Sequence, residues 1–195
     1  WPKREPAMLN SLIPGLFILP YVVFSATAGQ IADKVEKGRL ARFVKILEIA
    51  IMLVAGIGWM THTLWVLIAA VVGMGIHSTL FGPVKYAYMP QHLKPEELVG
   101  GNGLVEMGTF VGILLGQVLG AAMVQVKPFG IELVAGATLL FAVIGLVASY
   151  RIPLSPAPAP TLKINRNPLA ESVRNIAYSR QNRTVFLSML GNSWF

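Results

Sequence analysis

The chain has 195 residues, of which 54% are hydrophobic and only 13% are charged, a balance too apolar for an ordinary soluble domain. Its net charge of +7 comes from Lys and Arg residues in short connectors between apolar runs, not from a basic face, so no nucleic-acid partner is expected. The absence of cysteine excludes disulfides, thiolate metal sites and a cysteine nucleophile, and no cofactor is expected. The composition predicts a membrane protein.

Five apolar runs are each close to the roughly 20 residues that a helix needs to cross a bilayer. The expected spans are residues 9–27, 43–60, 64–81, 103–126 and 131–150, and a sixth apolar run begins at Val185. Strands of a membrane barrel are shorter, about 9–11 residues, and alternate in polarity. We therefore expect an all-α, polytopic bundle of membrane helices.

The positive charges are distributed unevenly between the two ends of these spans. Thirteen of the sixteen Lys and Arg residues lie in segments 28–45, 84–98 and 151–184. The opposite side has only Lys3, Arg4 and Lys127. Because positive charge stays on the cytoplasmic side of a membrane, the three rich segments are predicted to be cytoplasmic.

The connection between the first two spans contains Gly29, Asp33, Lys34, Gly38 and Arg39. It resembles the signature loop between the second and third spans of major facilitator superfamily transporters. In that family the Asp, the basic residues and the Gly form a charge lock that opens and closes during alternating access. Two extra residues separate the Asp from the second Gly here, compared with the usual spacing. The alternative is an ordinary basic cytoplasmic hairpin.

The resemblance implies a major facilitator fold, and two offsets place the chain within it. In the family the signature loop follows the second span, whereas here it follows the first. In the family the long central loop follows the sixth span, whereas here it follows the fifth. Trp1 in place of Met also suggests a fragment. We expect helices 2–6 of a twelve-helix transporter in 1–150, the central cytoplasmic loop in 151–182 and the start of helix 7 in 183–195.

The predicted central loop has two parts. Residues 153–160 are rich in proline and alanine, and we expect an extended spacer without packed structure. Asn167 then suits the cap of a helix whose first residue is Pro168. One face of that helix is apolar, through Leu169, Val173, Ile176 and Ala177. The helix either lies at the lipid interface or rests on the bundle.

The fourth span has a ridge of small residues at strict four-residue spacing, formed by Gly108, Gly112, Gly116 and Gly120. Such a ridge lets another helix backbone approach closely. In the superfamily the fifth helix often has a glycine motif that packs against the other half and helps govern closure, although the usual Gly-Pro is absent here. Static packing is the alternative.

Polar residues at membrane depth are expensive and therefore informative. Glu106 lies about one turn inside its span, with Asn102 on the same face, and Lys85 ends the preceding span where Pro83 is expected to break the helix. These residues either bind a charged headgroup or are interface charges. His77 is either hydrogen-bonded structure or a proton relay.

The pattern from Phe81 to Tyr86, followed by Pro90 and the segment 98–106, resembles bacterial lysophospholipid transporters, whose signature loop also has the extra residues. The sequence of residues 19–29 is most similar to members of this family that are fused to, or encoded beside, an acyltransferase and an acyl-carrier-protein ligase. The resemblance implies inward movement of lysophosphatidylethanolamine-like lipids across the bacterial inner membrane for reacylation.

Three classes of function stay open: a lysophospholipid transporter, a facilitator-type exporter of another amphipathic molecule, and the membrane part of a transporter–acyltransferase polypeptide. The segment has no glycine-rich phosphate loop, metal-spaced His cluster or His-x4-Asp motif, so we do not expect it to be an enzyme. For a lysophospholipid substrate, we expect Glu106 to meet the ammonium group, Lys85 the phosphate, and Asn102 to donate a hydrogen bond.

Overall fold

The computed structural model describes residues 6–165 and 167–194. Within them the chain forms seven α-helices and no strand. The helices are α1 (Pro6–Lys34), α2 (Lys37–Met60), α3 (Leu64–Tyr88), α4 (Leu98–Val124), α5 (Gly130–Ser149), α6 (Pro168–Ser179) and α7 (Arg183–Trp194). Two single-turn 3-10 helices, Met89–Gln91 and Pro95–Glu97, connect α3 to α4. The all-α prediction is confirmed.

Four helical segments of the described chain are long and apolar enough to cross a membrane. They are Ser11–Lys34, Leu64–Gln91, Pro95–Val124 and Gly130–Ser149. The remaining expected span lies in α2, which has 24 residues but is not among these four. Its first half carries five charged residues: Lys37, Arg39, Arg42, Lys45 and Glu48. The count of five spans therefore stays a prediction.

Several helices extend beyond the apolar runs that predict them, at the end rich in positive charge. The expected break at Pro83 is wrong, because α3 continues through this proline to Tyr88. A proline interrupts one backbone hydrogen bond, but helices in membranes tolerate it where neighbouring groups satisfy the backbone. As a result Lys85 stands on a continuous helix and not in a loop.

The helices pack as a bundle in which α1 contacts α3, and α2 lies between α3 and α5. At Gly75 of α3, an added Cβ would lie 2.4 Å from the carbonyl oxygen of Phe17, so only glycine permits this approach of α1. A compact apolar core lies where the charged ends of α1, α2 and α3 meet, and it consists of Ala32, Leu40, Ala41, Val44 and Val84.

Helix α6 begins at the predicted residue, Pro168, and the Asn167 side chain accepts a hydrogen bond from the Ala170 backbone N–H at 3.0 Å. It packs against α1 with Glu171 and Ser179 buried. The predicted apolar stripe is exposed, at Leu169, Val173, Ile176 and Ala177. The helix therefore rests on the bundle with Glu171 and Ser179 buried, and most of its apolar stripe is left uncovered.

Candidate substrate and switch sites

The predicted switch residues divide between two helices. The last turns of α1 contain Gly29, Asp33 and Lys34, and the first turn of α2 contains Gly38 and Arg39. Only two residues separate the helices, so the expected loop is almost entirely helical. We call this region, residues 29–39, the α1–α2 junction.

The Asp33 side chain is exposed, and the described residues offer it no ion pair. The two local candidates for a partner, Lys34 and Arg39, therefore do not pair with it in this conformation. Its backbone carbonyl does have a partner, because it accepts a hydrogen bond from the Ala159 N–H at 2.9 Å.

Glu36 organises the junction, and sequence analysis missed it. One of its carboxylate oxygens accepts hydrogen bonds from the backbone N–H groups of Gly38 at 2.7 Å and Ser155 at 3.1 Å, and the other accepts from Arg39 at 2.8 Å. Burial raises the pKa of Glu36, but these three hydrogen bonds and the charge of Arg42 outweigh burial and hold the pKa below its ordinary value. An acidic residue directly before the start of α2 was the available sequence signal.

Lys37 is fully buried at the start of α2. Its ammonium group donates to the carbonyl oxygen of Ala32, which lies near the end of α1. Burial lowers the pKa of Lys37, and the nearby charges of Asp33 and Glu36 partly oppose that shift. Lys37, one of the lysines expected to mark the cytoplasmic side, thus links the start of α2 to the end of α1 through a hydrogen bond.

The proline-alanine segment 153–160 is fixed to this junction at Ser155 and Ala159, so the expectation of a spacer without packed structure is wrong at these residues. Ser155 is fully buried, its N–H donates to Glu36, and its carbonyl accepts from the Lys37 N–H at 3.2 Å. The Ser155 hydroxyl also lies 3.4 Å from a ring nitrogen of His92. The segment has no regular secondary structure, but the junction provides partners for its backbone.

The structure brings two of the three predicted headgroup residues together. The ammonium group of Lys85 lies 3.2 Å from a carboxylate oxygen of Glu106 and 3.2 Å from the Thr109 hydroxyl. The Tyr86 hydroxyl donates to the same Glu106 oxygen. Asn102 is exposed and makes no hydrogen bond through its side chain among the described residues. Sequence reasoning missed Tyr86 and Thr109, although each is close in sequence to a predicted charge.

The glycine ridge of α4 faces open space within the described chain. A Cβ added at Gly108, Gly112, Gly116 or Gly120 would have no neighbour within 4 Å. Every residue of α4 is described, and none is buried. The ridge therefore has no packing partner in this part of the molecule, and its role stays a prediction.

His77 lies in a second charged cluster, between α2 and α3. Its Nε2 is 3.4 Å from a Glu48 oxygen, which is itself 2.7 Å from the Lys45 ammonium group. The ring is buried and packs roughly parallel to Phe81, and among the described residues neither ring nitrogen has a hydrogen bond of good geometry. The structure therefore does not show His77 as the hydrogen-bonded structural residue that was one of its two expected roles.

The sequence profile described as Major Facilitator Superfamily matches residues 6–195. Among curated proteins, the chain is similar to "Lysophospholipid transporter LplT" of Serratia proteamaculans, with 28% identity over 192 residues. Proteins of the same name from Escherichia fergusonii and Escherichia coli O7:K1 are 29% and 30% identical over 195 and 196 residues. Each alignment covers 97% of this chain and 46% of the relative. No solved structure matches the chain.

The chain thus spans about half the length of the curated relatives that it matches, and those relatives are named as transporters. The profile match covers nearly all of its residues. Together with the helices of membrane-spanning length and the bacterial relatives, it places the chain in a bacterial inner membrane as a multi-pass protein. The chain belongs to the major facilitator superfamily.

Proposed function

We propose that this chain forms helices 2–6, the central loop and the start of helix 7 of a transporter that moves lysophospholipids across the bacterial inner membrane by alternating access. The observation that carries the proposal is the contact between Lys85 and Glu106, which puts opposite charges side by side in an apolar helical bundle. Ionisable residues inside a membrane are rare and mark substrate or ion pathways. The relatives' printed name supports the same substrate class.

The pair matches the chemistry of a lysophospholipid headgroup. Such a lipid has an anionic phosphate and, in the ethanolamine form, an ammonium group. In this structure Lys85 and Glu106 neutralise each other at 3.2 Å. An entering headgroup replaces this contact with two, phosphate to Lys85 and ammonium to Glu106. The hydroxyl groups of Tyr86 and Thr109 hold the two side chains in place, and the free Asn102 amide donates to the headgroup.

The α1–α2 junction serves as the conformational switch in this proposal. Glu36 and Lys37 hold the two helix ends together, while the Asp33 carboxylate stays exposed and unpaired among the described residues. A carboxylate that finds a cationic partner in only one access state stabilises that state and shifts the population toward it. The glycine ridge of α4 supplies the surface on which the second half of the transporter closes.

The cytoplasmic product of such transport is a lipid that has one acyl chain and needs a second. An acyltransferase joined to an acyl-carrier-protein ligase performs that reacylation, as a fused domain or as a separate partner. The resemblance of residues 19–29 to fused or co-encoded members supports this part of the proposal. Surrounding membrane lipid is the other expected partner.

The test is uptake of labelled lysophosphatidylethanolamine into proteoliposomes that contain the complete gene product. We expect uptake well above that of protein-free vesicles, and a loss of about tenfold in Lys85→Ala, because a phosphate loses a charged partner. Lys127→Ala is the matched control, since it removes a lysine from the connection between α4 and α5 at the opposite end. Uptake no faster than in protein-free vesicles would contradict the proposal and favour another amphipathic substrate.

A further inference from the structure

A cluster of three ionisable side chains lies between α2 and α3, apart from the proposed headgroup site. It consists of Lys45 and Glu48 on α2 and His77 on α3, and we call it the His77 cluster. His77 lies midway along Leu64–Gln91, a segment long enough to cross a membrane. It is about 12 Å from Lys85 along α3, because an α-helix rises about 1.5 Å per residue. Ionisable side chains at such a depth are costly and indicate a function.

One carboxylate oxygen of Glu48 is shared by the other two members of the cluster. It lies 2.7 Å from the Lys45 ammonium nitrogen and 3.4 Å from Nε2 of His77. The first contact is a close ion pair, whereas the second is too long for a strong hydrogen bond. His77 is only 6% exposed, and neither of its ring nitrogens has a hydrogen-bond partner among the described residues. A buried polar group in this condition needs an explanation beyond folding.

A proton is the ligand that fits the His77 cluster. Histidine is the side chain whose charge ordinarily changes between about pH 5 and pH 8. A metal cation fits less well, because the Lys45 ammonium group already holds the carboxylate oxygen. Among the described residues, no third His, Asp or Glu joins Glu48 and His77 to complete a metal site. A proton needs no such room, since it is added to a ring nitrogen that is already beside the carboxylate.

The neighbouring elements bring no further charged group to the level of His77. Helix α1 packs on α3, and α5 packs on α2. Their charged side chains are in the last turn of α1 and the first turn of α5, and they are Asp33, Lys34 and Glu132. The 3-10 helix Met89–Gln91 has none. Tyr21 of α1 is titratable but exposed. A positive charge on His77 therefore acts first on the ion pair beside it.

Lys45 connects the cluster to α5. Its side chain lies against Gly145, where an added Cβ would be 3.1 Å from the ammonium nitrogen, and this nitrogen is 5.4 Å from the centre of the Phe81 ring. Phe81 also packs roughly parallel to the His77 ring, at 6.2 Å between centres. If a protonated His77 takes the Glu48 carboxylate, Lys45 loses its counter-ion inside the bundle. A lysine without a partner moves its charged end toward water, so the contact between α2 and α5 loosens.

We propose that His77 binds a proton, and that the charged ring then draws the Glu48 carboxylate away from Lys45 and loosens α5 from α2. The proton comes from water, is donated from Nε2 of the ring to the carboxylate, and stays on the protein. Helix packing, and with it the rate of the transport cycle, thereby responds to pH. The link to transport rate rests on the proposed function, whereas proton binding does not.

The first test is nitrogen NMR of the complete gene product with isotope-labelled histidine, in detergent, between about pH 5 and pH 8. The His77 signals are assigned by their loss in His77→Gln, or in His77→Asn if the first variant does not fold. We expect the ring to change from the neutral to the doubly protonated form within this range.

Two variants of the neighbouring charges should move this change in opposite directions. In Glu48→Gln it should occur at a pH lower by about one unit or more, because an attractive charge is lost. In Lys45→Met it should occur at a higher pH, because a repulsive charge is lost. A His77 ring that keeps one protonation state throughout, or a change at the same pH in both variants, would overturn the proposal.

The second test compares initial uptake of labelled lysophosphatidylethanolamine at about pH 6 and about pH 8, with the same pH on both sides of the proteoliposome membrane. We expect the unaltered protein to be about threefold faster at the lower pH, because a looser contact between α2 and α5 eases the change between access states. His77→Gln should differ by less than about 1.5-fold. His62→Gln, in the connection between α2 and α3, is the matched control and should keep the full pH dependence.

The two proposals fail in different ways. If the unaltered protein takes up no lysolipid at either pH, the proposed function is wrong, while the NMR measurement still decides whether His77 binds a proton. If uptake occurs and the unaltered protein and His77→Gln respond equally to pH, the function stands and the control of its rate by the His77 cluster is wrong.

Discussion

The α1–α2 junction and helix α4 differ in whether their polar and small residues have contact partners within the chain. At the junction, the Glu36 carboxylate, the Lys37 ammonium group and the Ser155 backbone all have partners within the chain. Along α4, no residue is buried and the glycine ridge faces open space. These three groups of the junction are therefore satisfied within the chain, whereas the α4 ridge, like the Asp33 carboxylate, has no partner among the described residues. The satisfied groups build the fold, and the unsatisfied ones are those to which we assign a part in the proposed transport cycle.

The two regions also differ in the kind of group that contacts their charged side chains. Glu36 accepts hydrogen bonds from the backbone of the α2 start and of the central loop, and Lys37 donates to the backbone near the end of α1. Their positions are therefore fixed by the fold. Glu106 is partly exposed and is held by side chains alone, from Lys85 and Tyr86. A pair held only by side chains can be exchanged for a ligand at much lower cost than one held by the backbone. Glu36 and Lys37 therefore serve the fold, whereas the Lys85–Glu106 pair is the one that we propose exchanges its contact for a ligand.

The largest effect on stability is expected from Glu36→Ala. The change removes the cap of α2, which is worth about 0.5–2 kcal/mol, and leaves the Ser155 N–H without its acceptor, which costs about 1–3 kcal/mol when buried. We expect the complete gene product in detergent to lose about 2 kcal/mol of unfolding free energy or more. Glu96→Ala, in the exposed turn before α4, is the control. Equal stability of the two variants would show that the central loop is not held through Glu36.

The same carboxylate predicts a pH dependence. The pKa of Glu36 is lower in the folded state than in the unfolded chain, so its stabilising contribution is fully present above the unfolded value and is lost as the pH falls through the folded one. Unfolding measured between neutral pH and about pH 3 should show the unaltered protein losing more stability in acid than Glu36→Gln. Parallel curves would contradict the assignment.

A reduction of about tenfold in transport, with only a small loss of stability, is expected from Asp33→Asn. The side chain is exposed and has no ion pair among the described residues, so its removal costs the junction only part of the electrostatic support of the Lys37 ammonium group. A tenfold change corresponds to about 1.4 kcal/mol of preference between access states. Uptake and thermal unfolding should be measured on the same preparation, with Glu96→Gln as the charge-matched control. Normal uptake by Asp33→Asn would contradict the switch role of the junction and leave its charges as an orientation signal only.

A smaller effect is expected on the glycine ridge. Gly112→Leu meets nothing within 4 Å in the described chain, so the unfolding free energy should change by no more than about 0.5 kcal/mol. Transport should nevertheless fall severalfold, and less for Gly112→Ala, because the bulk blocks the approach of the other half. Gly136→Leu on α5 is the control, since its position is equally open. Equal transport by both leucine variants would remove any special role from the ridge.

The sequence predicted the helices and singled out Lys85 and Glu106 because both signals are local. An apolar run of the right length predicts a span, and Glu106 stands out as a charge inside such a run, while Lys85 stands out just beyond the end of the preceding one. The helix ends were less predictable, because α3 continues past Pro83 into polar sequence. The docking of the central loop could not be foreseen. Ser155 lies 119 residues from Glu36, and nothing near either residue indicates the other.

The most direct test of the account is the response of two lysolipids to Glu106→Gln in the complete gene product. Lysophosphatidylethanolamine has an ammonium group and lysophosphatidylglycerol has none, while both have a phosphate. If Glu106 binds the ammonium group, initial uptake of the ethanolamine lipid should fall about tenfold and that of the glycerol lipid far less, whereas Lys85→Ala should lower both. If Glu106→Gln slows the two lipids equally, or slows neither, the headgroup assignment is contradicted.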